Sequence, residues 1–143
     1  MGLSVLDSSV IIAFRDATDP HHEGAVAEVR RAASANSLVA PAVAYAEVLV
    51  GAYRARKGRQ AERFFEQAVR VEPLTQDIAR TGARLRSRHG LPLPDSLIVA
   101  AGLELDADEI LTADERWRRV DRRVRVLGAV PGSRGRRGSQ GTR

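Results

Sequence analysis

The sequence contains no cysteine. That excludes disulfides, thiolate metal sites and a cysteine nucleophile, and it agrees with a reducing compartment. Aromatic residues make up only 4% of the chain, so a core has to be built from Val, Leu, Ile and Ala. No apolar run approaches the roughly 20 residues that cross a bilayer. The opening Met1-Gly2-Leu3-Ser4-Val5 lacks the basic start and long apolar stretch of a secretory signal. Together these readings predict a cytoplasmic protein without membrane contact. Lysine is nearly absent, with Lys57 alone against 22 arginines. Biased base composition in the coding DNA accounts for this as readily as arginine-specific recognition does. The three histidines, His21, His22 and His89, lack the pairing and spacing of a zinc site and read as surface residues.

What is present suits a single soluble domain: 143 residues, 43% hydrophobic and 29% charged. The net charge of +5 is mostly a property of the end of the chain. Arg134, Arg136, Arg137 and Arg143 lie in the last ten residues with no acid beside them, which leaves +1 for the first 133. Net charge therefore gives no argument that the folded part binds nucleic acid. From about Pro131 onward the chain is Gly, Ser and Arg with almost nothing apolar, and disorder is expected over 131–143.

Short apolar runs alternate with helical patterns. Residues 3–6 read as a buried first strand ending at Asp7, and Ser8-Ser9 offers an N-cap to a helix through Val10-Ile11-Ile12-Ala13-Phe14. Val26, Val29, Ala32 and Ala33 recur at helical spacing between His21 and about Ala35. Residues 37–40 form a second strand, followed by helices from about Ala42 to Arg56 and after Gly58, the latter with Phe64, Phe65, Ala68 and Val69 inward. A third strand falls within 69–74. Thr75 caps a helix that Gly90 ends, and Pro92 and Pro94 bracket a connection into a helix from Asp95 to about Leu105. Residues 109–112 and 124–127 complete five strands. This alternation implies an α/β fold, a three-layer sandwich around a mainly parallel sheet.

Four acids stand out. Asp7 and Asp114 follow predicted strands, at the edge where open α/β sheets place their ligands. Each also has a capping reading, Asp7 before the first helix and Asp114 before Glu115-Arg116-Trp117-Arg118. Glu47 is the only charged residue between Ala42 and Tyr53 and has Val43, Ala44, Val50 and Gly51 as helical neighbours. It is therefore expected to face inward, where an ionised carboxylate needs a cation or a shifted pKa; a buried pair with an arginine is the competing reading. Asp95 opens a helix, where the helix dipole alone favours an acid. Glu104, Asp106, Asp108 and Glu109 read as solvated surface around a helix-to-strand connection. Several neighbouring carboxylates would take up protons unless a cation were present. Oxygen ligands without cysteine favour Mg²⁺ or Mn²⁺, which can polarise a phosphodiester and acidify an attacking water.

Three segments carry a family likeness: Val5-Leu6-Asp7-Ser8-Ser9-Val10-Ile11, then Ala44-Tyr45-Ala46-Glu47-Val48-Leu49-Val50-Gly51, then Leu93-Pro94-Asp95-Ser96-Leu97-Ile98-Val99-Ala100-Ala101 leading into Ile110-Leu111-Thr112-Ala113-Asp114. In this order and spacing, over about residues 3–128, the chain resembles a PIN domain, specifically the VapC toxins of type II toxin–antitoxin pairs. The resemblance implies a PIN-like nuclease domain over 1–130 and a metal-dependent endoribonuclease activity. Asp7 and Asp95 would be the Mg²⁺ ligands, with Glu47 and Asp114 completing the acidic pocket directly or through water. Thr112 matches a polar position before the last acid, where it would either orient that carboxylate or stand as an ordinary strand residue. A homodimer is implied, silenced by a VapB-type antitoxin whose C-terminal segment docks near the active site.

Two competing enzyme classes on similar sheets fail against the letters. A haloacid-dehalogenase-like phosphatase needs a second acid where Ser9 stands, and a receiver domain needs a late lysine that this chain lacks. Two basic runs, one of Arg54, Arg56, Lys57, Arg59 and Arg63 and one of Arg84, Arg86, Arg88 and His89, either contact RNA phosphates or form solvated helix faces. The alternative of another class is a PIN-like binding module without catalysis in a regulatory complex.

Overall fold

Val5 and Leu6 are adjacent, both are buried, and they point to opposite faces of one strand. The same holds for Val39 and Ala40 and for Ile110 and Leu111. A sheet apolar on both faces must be covered on both, which is the condition for all-parallel pairing. The computed structural model describes residues 2–128 and realises that arrangement. In chain order the elements are β1 (Gly2–Leu6), α1 (Ser8–Arg15), α2 (His22–Ala35), β2 (Asn36–Pro41), α3 (Ala42–Arg54), α4 (Gly58–Ala68), β3 (Arg70–Glu72), α5 (Gln76–His89), α6 (Leu93–Glu104), β4 (Glu109–Thr112), a 3₁₀ turn (Glu115–Trp117) and β5 (Val124–Val126). All neighbouring strands pair in parallel, in the order β3-β2-β1-β4-β5.

Two apolar clusters sandwich the sheet. On one face Val5, Val39 and Ile110 meet Ile78 and Leu85 of α5, Ile98 and Val99 of α6, and Trp117. On the other, Leu6, Ala40 and Leu111 meet Val10 and Ile11 of α1, Ala25 and Val29 of α2, Val48 of α3 and Phe65 of α4. Each fully buried aliphatic side chain contributes about 1.5–3 kcal/mol. The three-layer α/β fold predicted from the alternation is thus observed.

Local details differ from the sequence reading. α6 begins at Leu93 rather than Asp95, because Pro94 fits the first helical turn, where its missing N–H has no partner to lose. β3 shrinks to three residues, and Ala33 and Ala68 are exposed while Ala25 and Ala61 are buried. Thr75 does cap α5, accepting from the Ile78 N–H at 3.2 Å, and Gly90 closes that helix at φ 72°. Glu109 is not solvated surface. Its side chain is 13% exposed and bound to Ser4 Oγ at 2.7 Å and Arg31 at 2.6 Å. Arg31 and Arg125 in turn hold Glu28, so an ion network ties β1, α2, β4 and β5 together.

The topology positions the site. From β1 the chain winds to β2 on one side, and it returns later to β4 on the other. The C-terminal ends of β1 and β4 therefore border the crevice at which such sheets bind ligands. Among the described residues no helix is long and apolar enough to cross a membrane. The disorder expected over 131–143 and the boundary at 130 fall outside the described residues.

Candidate functional site

Asp7 ends β1 at that crevice and is 5% exposed. Its backbone caps α1, with the carbonyl accepting from the Val10 and Ile11 N–H groups, but its side chain makes no capping bond. Ser8 is already helical, so the expected Ser8-Ser9 cap does not form. The carboxylate is held instead by two hydroxyls converging on one oxygen. Ser9 Oγ donates to Asp7 Oδ2 at 2.7 Å and Thr112 Oγ1 donates to it at 2.8 Å. Each hydroxyl is itself oriented by a backbone N–H leaving β4: Ala113 to Ser9 Oγ at 3.0 Å, and Asp114 to Thr112 Oγ1 at 3.1 Å. Among the described residues the one side-chain hydrogen bond to Oδ1 is a long one from the Ser8 hydroxyl, at 3.4 Å. Burial pushes the Asp7 carboxyl above its ordinary value, the two hydroxyls oppose that, and the charge of Asp95 adds to it.

Glu47 comes from α3, whose buried positions are Ala44, Val48 and Ala52. It stands beside that stripe and is exposed, which corrects the inward orientation expected from its apolar neighbours. Among the described residues it forms no ion pair with an arginine. Ser8 Oγ lies 3.1 Å from Glu47 Oε1, so a single hydroxyl sits between Glu47 and Asp7 and donates to one at a time. Partial burial raises the Glu47 carboxyl, and the charges of Asp7 and Asp95 raise it further against the Ser8 hydrogen bond.

Asp95 occupies the first turn of α6 and is half-buried. Its Oδ2 accepts from the indole of the buried Trp117 at 3.4 Å and meets Arg116 Nη2 at 3.5 Å. Desolvation still leaves this carboxyl raised. Asp114 behaves differently. It caps the 3₁₀ turn, with Oδ1 accepting from the Arg116 N–H at 2.9 Å, and the Arg116 guanidinium grips both its oxygens at 2.6–3.1 Å. That contact holds Asp114 below the usual carboxylate range.

The crevice is thus bordered by three carboxyls raised by burial and by neighbouring acid charge, and by a fourth paired with an arginine. Comparison with known proteins agrees in fold. The PIN domain model matches residues 4–123. This chain belongs to the PIN domain family. In structure it is similar to a toxin–antitoxin complex from Klebsiella pneumoniae, with a TM-score of 0.74 and 19% identity over 89% of this chain and 99% of that one. It also resembles VapBC-1 from nontypeable Haemophilus influenzae (TM-score 0.66, 21% identity, 87% and 98% covered). A third similar structure is the sarcin-ricin loop cleaving toxin VapC20 from Mycobacterium tuberculosis (TM-score 0.61, 19% identity, 75% and 86% covered). No curated protein matched by sequence.

Among the described residues no three His, Cys, Asp or Glu side chains are gathered closely enough to hold an ion together. The four acids therefore do not form the all-protein cage that a structural zinc or a tight calcium site requires. Mg²⁺ keeps several waters and needs only one or two carboxylates. Asp7, with Oδ1 lacking a short bond, and Asp95, still raised beside it, fit that demand. Sequence reasoning missed Ser8 and Ser9 as carboxylate partners, along with Arg116 and Trp117. It assigned Thr112 to the wrong carboxylate, since its hydroxyl orients Asp7 and only its acceptor side serves the Asp114 N–H.

Proposed function

We propose that this PIN domain is a Mg²⁺-dependent endoribonuclease (with Mn²⁺ able to substitute), the toxin of a VapBC-type pair. The observation that carries the reading is Asp7: a buried carboxylate raised by desolvation, with one oxygen saturated by two oriented hydroxyls and the other left to an incoming cation. Asp95 is the second ligand. A bound Mg²⁺ would supply charge to the scissile phosphate and lower the pKa of an attacking water. Glu47, at the rim with its carboxyl raised by partial burial, would accept the proton of that water. Ser8 holds Glu47 beside Asp7.

The likeness to VapBC complexes supports a VapB-type antitoxin as partner, and a homodimer is part of the same proposal. A groove of about 430 Å³ between α1, α3 and α4, lined by Ile12, Val48 and Ala52 and equally by Arg15, Asp16 and Lys57, suits an amphipathic antitoxin segment. Ile12 is 40% exposed at its edge, on the helix that starts at the acids. The test is cleavage of RNA by the pure protein with Mg²⁺ or Mn²⁺, against EDTA and Asp7→Asn controls. Both controls are expected to abolish cleavage. Activity surviving them would sink the metal mechanism, and inertness on every RNA tried would leave a binding module without catalysis. Growth arrest on expression, relieved by a small co-expressed partner, tests the toxin assignment.

A further inference from the structure

Arg116 is unusual in where its charge is spent. Its Nε and Nη2 both grip Asp114, with Nη2 at 2.6 Å from Oδ2 and Nε at 3.1 and 3.0 Å from the two oxygens. The backbone N–H of the same residue takes Asp114 Oδ1 at 2.9 Å. Asp114 is therefore saturated by one residue and pulled into a low-pKa ion pair, the opposite of the three raised acids beside it. Such a carboxylate is a poor candidate for metal coordination, since the ion would have to displace a bidentate arginine. The contact of Nη2 with Asp95 is long, 3.5 Å, on a side chain 63% exposed, so a cation on Asp95 displaces it at little cost. Arg116 Nη1 donates no hydrogen bond among the described residues.

On the reading of this site as a metal-dependent ribonuclease, we infer that the Asp114–Arg116 pair serves the substrate and not the metal: Asp114 positions Arg116, and Arg116 contacts the RNA phosphate. A phosphate sharing a cation with Asp95 lies within a few ångströms of that carboxylate, which is where the guanidinium already stands. The fork left open on Nη1 matches phosphate oxygens. The pair arises locally because Asp114 caps the 3₁₀ turn on which Arg116 sits two residues later. Asp114 thereby holds the arginine over the crevice while Asp7 and Asp95 remain available to the ion.

Two readouts separate this role from a ligand role. Mn²⁺ affinity is measured by titration calorimetry on the full chain and on Arg116→Ala, Arg116→Lys, Asp114→Asn and Asp95→Asn. Binding of a short single-stranded RNA is measured by fluorescence anisotropy with Mn²⁺ at several salt concentrations, in a Glu47→Gln background that retains Asp7 and Asp95. Asp95→Asn should lose Mn²⁺, while Arg116→Ala and Asp114→Asn should hold it to within about threefold or bind it more tightly, having lost only an exposed ion pair. RNA affinity should fall about tenfold in Arg116→Ala, and the slope of log K against log salt should flatten by about 0.7, the signature of one lost phosphate contact. Arg116→Lys should restore the slope but only part of the affinity. Loss of Mn²⁺ in Asp114→Asn, or an unchanged RNA slope in Arg116→Ala, would overturn the inference while leaving the ribonuclease reading intact. Failure of the unmutated chain to bind Mn²⁺ would overturn both.

Discussion

On the proposed metal-dependent reading, Asp7 sets the stability of the fold against its role as a ligand. It is the most buried acid of the crevice, and its carboxyl is raised because burial outweighs its hydrogen bonds. Both short bonds, from Ser9 and Thr112, end on the same oxygen, so an asparagine can place its amide oxygen there and keep both. Asp7→Asn should therefore abolish Mg²⁺ binding and still melt higher than the parent in EDTA at pH 7.5. A gain of about 1 kcal/mol, or roughly 2–4 °C, is expected from removing an uncompensated charge; a lower melting point would show the carboxylate to be stabilising without metal. Thr112→Val tests the support shell from the other side. It removes one donor from Asp7 and leaves the Asp114 N–H without its acceptor. It should cost about 1–3 kcal/mol in urea unfolding and weaken Mn²⁺ binding about 10–100-fold in calorimetry. Unchanged Mn²⁺ affinity would mean that the hydroxyl does not orient the ligand. Asp7 was legible as a strand-end acid, but the hydroxyls were not. Ser8 and Ser9 look like helix caps in sequence, and only the parallel register of β1 with β4 brings Thr112 to Asp7.

At the level of elements, pattern reading worked where burial is two-sided and local chemistry is explicit. β1, β2 and β4 are short apolar runs buried on both faces, and α5 has its Thr75 cap and Gly90 stop. It slipped on helix faces made of alanine. Ala25 and Ala33, or Ala61 and Ala68, are interchangeable to the eye, and only the angle at which a helix meets the sheet decides which is buried. The same limit misplaced Glu47, which stands one position from the buried Val48. Close helix–sheet contact is also invisible in sequence. Gly102 of α6 lies against β4 so tightly that an added Cβ would come within 2.4 Å of Ile110 Cδ1 and 2.5 Å of its Cγ1. Ile110 is fully buried and cannot swing aside. Gly102→Ala should therefore destabilise by about 1–2 kcal/mol in urea, although alanine is favoured over glycine by about 1 kcal/mol inside a helix. A net stabilisation would show that the α6–β4 contact yields.

For the whole molecule, the acids divide into two sets that act in different pH windows. Asp114 and Glu28 are held low by arginines. Such groups stabilise the fold when ionised, and this contribution disappears as pH falls below about 4 through their folded values. Asp7, Glu47 and Asp95 are raised, so the folded chain binds their protons more tightly than the unfolded chain does. Their contribution is fully present below the ordinary carboxylate value of about 4 and is lost as pH climbs through the raised values. The metal-free protein should accordingly be most stable in weakly acidic solution and should soften towards neutrality, against the usual trend of acid-sensitive proteins. A cation on Asp7 and Asp95 requires their ionised forms, so Mg²⁺ should release protons on binding and stabilise more strongly at pH 7.5 than at pH 5. Melting temperatures from pH 3 to 8, in EDTA and in millimolar Mg²⁺, measure both effects. The expected EDTA curve is highest in weakly acidic solution and declines above it, Mg²⁺ removes the decline, and Asp7→Asn flattens it without metal. An EDTA curve rising steadily to pH 8 would mean that the three carboxyls are already neutralised within the folded chain, and the case for a divalent cation at this crevice would lose its physical basis.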